Sequence, residues 1–447
     1  MNTPIRDFVL SYCDEAPARF HMPGHKGKGL LGFEKYDITE IDGADVLYSP
    51  SGIIKESEKN ASELFSSFRT FYSCEGSSLC IKAMLALIAS KRKNKCRKTR
   101  ILASRNVHKS FVYGCAICDI EVEWLYGAEF NHLCTCVVAP DLLEKKLEEL
   151  KGELDAVYVT SPDYLGQMTD IKAISAVCDR YSLPLLVDNA HGAYLAFLNE
   201  SLHPINNGAY MCCDSAHKTL PVLTGGAYLH LSDKAADLSE SAENMMSLMG
   251  STSPSYLILQ SLDVCNRYIA FSYREKLDKA VRNISELKTK LNAMGFYTVN
   301  SEPLKLVLDN AASHLSTKKA VLSLRKAGVV PEFYDDDYIV FMITPENSSE
   351  DLQRLYEAIA ALGKEETASS KNTPYAPSEP TKAMDIREAF FSEKELISTR
   401  NAAGRICASP IVSCPPAIPV VISGEIIGRN EIELMLSCGT EKIEVVK

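Results

Sequence analysis

Between residues 76 and 232, short apolar runs alternate with helical periodicities. GSSLCIKAMLALIASK is apolar nearly all round and reads as a buried helix, while DLLEKKLEELKGE is amphipathic and reads as a surface helix. Ile101 to Ser104 (ILAS), DAVYVTSP, LPLLVDNAH, AYMCCDSAHK and GGAYLHLS read as strands, with DIKAISAVCDRYS as a helix among them. Continuous apolar strands separated by helices predict an α/β architecture, a mainly parallel sheet flanked by helices on both faces. Residues 254–296 read as one long helical stretch, with Pro254 near its start and Gly295 near its end.

The pattern then changes. KLVLD reads as a strand, STKKAVLSLRKAG as a helix closed by Gly328, and EFYDDDYIVFMIT as two strands around an Asp turn. SSEDLQRLYEAIAALG reads as a helix with the capping pattern Ser348-x-x-Asp351. The division predicted is an N-terminal arm over 1–30, a major domain over 31–296 and a smaller α+β domain over 297–363. A polar, Ser- and Pro-rich linker over 364–382 leads to a C-terminal domain over 383–447, with a helix candidate at 385–403.

The chain has 447 residues, a net charge of −10, 46% hydrophobic and 24% charged residues. That is the balance of a globular protein too large for one core. The negative balance, without a basic face, argues against nucleic acid as a partner, and no apolar run is long enough to span a membrane. The N-terminus, interrupted by Asp7, Asp14 and Glu15, does not read as a signal peptide, so a cytoplasmic location is expected. The fifteen cysteines, among them Cys80, Cys178, Cys212 and Cys213, are read as reduced core residues. Cys115-x-x-Cys118 and Cys134-x-Cys136, with His108 and His132 nearby, do not form a recognised four-ligand pattern, so no metal is expected.

Three pieces of chemistry fall at the carboxyl ends of predicted strands, where open α/β sheets bind ligands. Gly76, Ser77 and Ser78 open an apolar helix, whose free N–H groups and added hydroxyls suit a phosphate. Asp188 ends a strand, with His191 just beyond; a buried carboxylate there can keep a pyridine nitrogen protonated. Ser215, His217 and Lys218 share one turn, and a partly desolvated lysine forms an imine with an aldehyde. Taken singly, these are a helix cap, a turn aspartate and a surface lysine. Taken together they describe a pocket for pyridoxal 5'-phosphate (PLP).

The stretches FHMPGHKG, DITEIDGADVLYSPSGIIKESE, CEGSSLCIKAM, RNVHKS, VTSPDYLG, VDNAHGA, DSAHKTLPVLTGGAYLH, STSPSYLILQSLD and AAGRICASPIVSCPPAIPVVISGE resemble, in order, signatures of the Orn/Lys/Arg decarboxylase family. The likeness is to its shorter members, which lack an N-terminal receiver-like domain. It implies a PLP-dependent transferase fold of type I with a C-terminal decarboxylase-type domain. Lys218 would then carry PLP as a Schiff base, Asp188 pair with the ring nitrogen, His191 orient the ring and His108 stack on its face. Gly76, Ser77, Ser78, Ser215 and His217 would surround the phosphate, and Ser251 to Ser255 would approach one, across a subunit interface. His21 and His25 lie in an entry loop that is equally well structural.

The resemblance also implies a homodimer or higher homo-oligomer. The reaction implied is α-decarboxylation of a basic amino acid to CO2 and a polyamine-type amine, with arginine favoured over lysine or ornithine. Lys218, His108, His217 and Asp188 would be catalytic, with His217 or Lys218 returning the proton to Cα. The substrate's cationic end needs acceptors, for which Glu332, Asp335 to Asp337 and Glu425 are candidates. Departures from the family pattern are Asn189 where an acid is common, Asp163 where Thr is usual, and Cys414 and Ala417 in place of Tyr and Gly. The rival readings are another PLP reaction on the same fold, transamination or aldol cleavage, and a catalytically silent homologue.

Overall fold

In a computed structural model of the chain, the residues described are 1–92, 96–127, 132–365, 380–412 and 417–447. Most of the 364–382 linker and the Cys414 departure therefore lie outside the described residues.

A seven-stranded sheet organises the molecule: β1 (Arg69–Ser73), β2 (Thr99–Ser104), β3 (Ile120–Leu125), β4 (Ala156–Thr160), β5 (Leu185–Asp188), β6 (Met211–Asp214) and β7 (Ala227–Leu231). Their spatial order is β1-β7-β6-β5-β4-β2-β3. All neighbours are parallel except β7, which runs antiparallel to both β6 and β1. Two antiparallel steps leave β1 pointing the same way as β6. The carboxyl ends of β1, β2, β4, β5 and β6 therefore open on one edge.

Alternation along the strands covers both faces. Ile101, Tyr158, Leu186 and Met211 pack with Leu85 and Phe111 of the helices Ser77–Lys91 and Lys109–Cys118. Leu102, Val157, Val187 and Cys212 pack with Leu143 and Ile174 of the helices Pro140–Glu149 and Ile171–Arg180 on the other side. Cys80, Cys178, Cys212 and Cys213 are buried free thiols in these layers. The helical stretch after Pro254 runs over Tyr256–Tyr268, a π turn at Ile269–Tyr273 and Arg274–Ala293. It begins where Ser255 Oγ accepts the Ile258 N–H at 3.4 Å.

The next unit contains β8 (Lys305–Asp309), β9 (Phe333–Tyr334) and β10 (Tyr338–Met342) in the order β8-β10-β9, with Asp335 to Asp337 as the β9–β10 turn. Its last helix, Ser349–Ala360, starts with a full capping box: Asp351 N–H donates to Ser348 Oγ (3.1 Å) and Ser348 N–H to Asp351 Oδ2 (3.0 Å). The expected helix over 385–403 is shorter than its pattern suggests. It spans Ile386–Phe391, and Lys394–Ser398 is instead a strand paired with Lys442–Val446. The partner strand settles that segment, because extended pairing outweighs the weak helical preference of KELIS.

Ala417 occupies a left-handed conformation, φ +60°, with its carbonyl accepting the Lys109 N–H at 3.0 Å. A side-chain-bearing residue there costs about 1–2 kcal/mol, which glycine avoids. Glycine's extra freedom in the unfolded chain offsets part of that. Ala417→Gly is therefore expected to raise unfolding stability by about 0.5–1 kcal/mol, measured by urea titration. An unchanged or lowered midpoint would show that the Ala417 backbone is not strained.

Candidate active site

The open edge of the sheet gathers the residues that carry chemistry. After β1 the chain turns at Gly76, whose φ of +69° explains the glycine, and enters the helix with Ser77 and Ser78 in its first turn. Ser215, just past β6, donates its hydroxyl to Ser77 Oγ at 2.8 Å. Past β2, Ser110 donates to Ser78 Oγ at 2.8 Å, and His108 Nδ1 accepts the Ser110 N–H at 3.2 Å. Four hydroxyls from three strand ends thus converge on one helix N-terminus, a site built for an anion.

Asp188, at the end of β5, is 2% exposed, and its Oδ1 accepts the Ala190 N–H at 3.2 Å. Burial raises its pKa, with the charge of Lys218 opposing. Lys218 sits in the turn after β6 with Nζ 3.1 Å from His191 Nε2. Burial lowers the lysine's pKa, against a smaller opposing pull from Asp188. Among the described residues Lys218 forms no ion pair, so its amine is disposed to be neutral and nucleophilic. His191 is buried, its Nδ1 has no hydrogen-bond partner, and burial followed by the charge of Lys218 holds its pKa well below the usual imidazole range. The same two causes bring His108 down to about 4, so it is neutral at neutral pH. His217 Nδ1 donates to the Gly226 carbonyl at 2.9 Å.

Several partners were not foreseen. Tyr164, beyond β4, sets its ring edge against His191 at 5.1 Å between centroids and donates its hydroxyl to Glu332 Oε1 at 2.8 Å. Of the acidic candidates, Glu332 is the one that this chain of contacts joins to Lys218. Asp335 instead binds His132 at 2.8 Å, and Glu425 is committed to Arg105. Lys305 is a second buried lysine, 1% exposed, whose Nζ donates to the carbonyls of Asp163 and Tyr164 at 3.3 Å each and pairs with Glu302 at 3.6 Å. The lone signal for it in the sequence is a lysine opening an apolar strand three residues after Glu302. Asp163 is buried with its pKa pushed up to about 6, and its Oδ1 accepts the Gln167 N–H at 2.8 Å.

The Asn189 departure also has a physical account. Its amide donates to Asp214 Oδ1 at 2.7 Å, while His203 Nε2 and His230 Nε2 lie 2.9 and 3.2 Å from Asp214 Oδ2. His203, Asp214 and His230 form the one cluster of metal-ligand type among the described residues, and three hydrogen-bond donors, with Asn189 the third, already satisfy the carboxylate. Ser251 to Ser255 lie beside the turn that leads to Gly76: Ser251 N–H donates to Glu75 Oε1 at 2.6 Å. No hydrogen bond joins this segment to Ser77 or Ser78 among the described residues. His21 and His25 belong to the outer N-terminal segment, bonded to Tyr12 (2.6 Å) and Asp37 (3.2 Å) rather than to any group at the sheet edge.

A mainly parallel sheet with a buried lysine, a strand-end aspartate and a seryl helix start defines the PLP-dependent transferase fold of type I. Sequence comparison makes the assignment specific. The family profile described as "Orn/Lys/Arg decarboxylase, major domain" matches residues 3–319, and "Orn/Lys/Arg decarboxylase, C-terminal domain" matches residues 364–438. The chain belongs to the Orn/Lys/Arg decarboxylase family. Arginine decarboxylases of Bacillus subtilis and Halalkalibacterium halodurans are each 28% identical to it, over 96% of this chain and 92% of theirs. Among solved structures, the Francisella novicida lysine decarboxylase superposes with a TM-score of 0.82 at 15% identity, covering all of this chain and 81% of that one. The E. coli constitutive lysine decarboxylase gives 0.76, also at 15% identity, with 82% of its chain covered. Among the described residues no helix is long and apolar enough to cross a membrane.

Proposed function

We propose that this chain is a PLP-dependent decarboxylase acting on arginine in preference to lysine or ornithine. The observation that carries it is the Lys218 amine, buried 3.1 Å from His191 with no ion-pair partner among the described residues, on the sheet edge that also holds Asp188 and the Ser77–Ser78 helix start. The residues fit the cofactor: hydroxyls gather where a phosphate would sit, Asp188 is a buried carboxylate at the same sheet edge, and His191 Nδ1 is a buried polar atom without a hydrogen-bond partner.

When bound, PLP supplies a cationic ring that takes up the electron pair left as the substrate carboxylate departs as CO2. The chain's own groups do the rest. Ser77, Ser78 and Ser215, with the Gly76 turn, bind the phosphate. Asp188 would hold the proton on the ring nitrogen, His108 would cover one ring face and keep water from it, and His191 holds the Lys218 amine in place. Lys218 Nζ is the amine that would hold the cofactor through its aldehyde carbon. Lys218 Nζ or His217 then returns a proton to Cα.

Glu332 is placed to receive the substrate's guanidinium, which presents a fork of donors to a carboxylate. Support for arginine comes from the naming of the relatives. Glu332→Gln keeps the Tyr164 bond but loses the charge. It is expected to raise KM for arginine about 10- to 100-fold, the worth of one charge-assisted contact, with kcat little changed. An unaltered KM would remove Glu332 from the pocket.

The exposed Phe20, Met22, Leu30 and Leu31 of the N-terminal segment suit burial against a second copy of the chain, which supports a homodimer. The buried free thiols support a reducing cytoplasm. The direct test supplies arginine, lysine and ornithine to the PLP-loaded protein and measures CO2 and product amine by mass spectrometry. Agmatine as the main product is expected. A keto acid would establish a transaminase, and bound PLP without turnover of any of the three a silent homologue.

A further inference from the structure

Among the described residues, the C-terminal domain is hydrogen-bonded to the turn that carries His108. Arg105 follows the last residue of β2 and is 3% exposed. Its Nη1 donates to the Pro419 carbonyl (3.1 Å), and its Nη2 to the Val420 carbonyl (3.2 Å) and to Glu425 Oε2 (3.2 Å). Glu425, 4% exposed, also accepts the Ile422 N–H through Oε2 at 2.7 Å, which fixes its carboxylate within its own domain. On the other side of His108, the Lys109 N–H donates to the Ala417 carbonyl at 3.0 Å. Residues 417–425 thus grip both flanks of a five-residue turn.

Asn106 is 1% exposed, and neither atom of its side-chain amide has a hydrogen-bond partner. The amide therefore adds no bond to the turn, whose backbone is tied by the Arg105 N–H to the Leu125 carbonyl (3.0 Å) and by the Phe111 N–H to the His108 carbonyl (2.9 Å). The His108 ring is anchored by Ser110, and Ser110 by Ser78 at the helix N-terminus. The imidazole is suspended between the anion-binding helix and the C-terminal domain.

We propose that Arg105 and Glu425 are positioning residues for His108, and that the C-terminal domain acts in catalysis by holding this imidazole against the cofactor ring. The inference rests on the cofactor reading given above. A buried Arg–Glu pair suits the role because its geometry is set by several bonds at once, and displacement by about 1 Å of a group at a reacting centre can lower turnover about 100-fold.

The test is a double-mutant cycle between Glu425→Gln and His108→Ala in the full, PLP-loaded protein, read by kcat and by visible circular dichroism of the bound cofactor. Glu425→Gln is expected to lower kcat about 10- to 100-fold and to change the cofactor's dichroism. In the His108→Ala background it should lower kcat less than about twofold further, because its effect passes through the missing ring. If the two losses multiply, or if Glu425→Gln leaves kcat and dichroism unchanged, the proposal is overturned. The same cycle with Arg105→Lys, which keeps the charge but loses the fork to Pro419 and Val420, decides the case in which Glu425→Gln does not fold. A wild type with no cofactor band overturns the parent reading and this one with it; a normal wild type with unaffected variants overturns this one alone.

Discussion

Lys218→Ala is expected to abolish covalent retention of PLP and to lower decarboxylation by at least about 10³-fold, the range for losing a nucleophile and proton carrier together. Borohydride reduction followed by peptide mass spectrometry checks the attachment. The chain has its own control, because two lysines are buried near the site. Lys305 donates to two carbonyls and pairs with Glu302, so its Nζ is engaged by three acceptors. Lys218 has a histidine as its neighbour and, among the described residues, no ion-pair partner, so it is the amine free to attack an aldehyde. Reduction should label Lys218 and leave Lys305 untouched in the wild type. A label on Lys305, or one that persists in Lys218→Ala, would refute the assignment.

The same substitution has a pH signature in the cofactor-free protein. Burial depresses the Lys218 pKa below its ordinary 10.5, so as pH falls the unfolded chain takes up the proton first. Wild-type stability should therefore decline relative to Lys218→Ala as pH drops from 10.5 toward the depressed value, and the gap should stay constant below it.

The site was legible in the sequence wherever chemistry and chain order coincide. Asp188, Lys218 and the Ser77–Ser78 start each end or follow an apolar run, and the fold brings those ends to one edge. The strands β4, β5, β6 and β7 read clearly because they are apolar on both faces. The two edge strands did not: β1 begins with an arginine, and β3 alternates Ile120, Val122 and Trp124 with Glu121 and Glu123. Neither has the continuous apolar run of a central strand. The unread part of the site was assembled from distance. Tyr164 and Glu332 are joined by a hydrogen bond across 168 residues, and Arg105 and Glu425 across 320. Glu332 and Glu425 stand out in the sequence as acidic candidates, but no local pattern announces the tyrosine and the arginine that they bind. Asn189 looked like a weakened acid position, yet Asp214 supplies the carboxylate beside it.

Asp188→Asn separates holding the cofactor from activating it. Lys218 and the phosphate-binding seryl groups remain, so PLP should still be retained covalently. The asparagine cannot hold a proton on the ring nitrogen by charge, and kcat is expected to fall about 10²- to 10³-fold, the loss typical of one preorganised electrostatic contact. Stability should move in opposite directions with and without cofactor. Without it, burial raises the Asp188 pKa above its ordinary 3.8, so the folded chain holds the proton more tightly than the unfolded one. As pH rises from 3.8 through the raised value, the wild type loses stability that asparagine does not lose. The cofactor-free variant should therefore melt above the cofactor-free wild type at neutral pH. With PLP bound, the wild-type carboxylate gains its cationic partner and the variant does not, so the order should reverse. Thermal melts of the four species check this. If the order fails to reverse, or if the variant loses PLP as Lys218→Ala does, Asp188 is not the partner of the ring nitrogen.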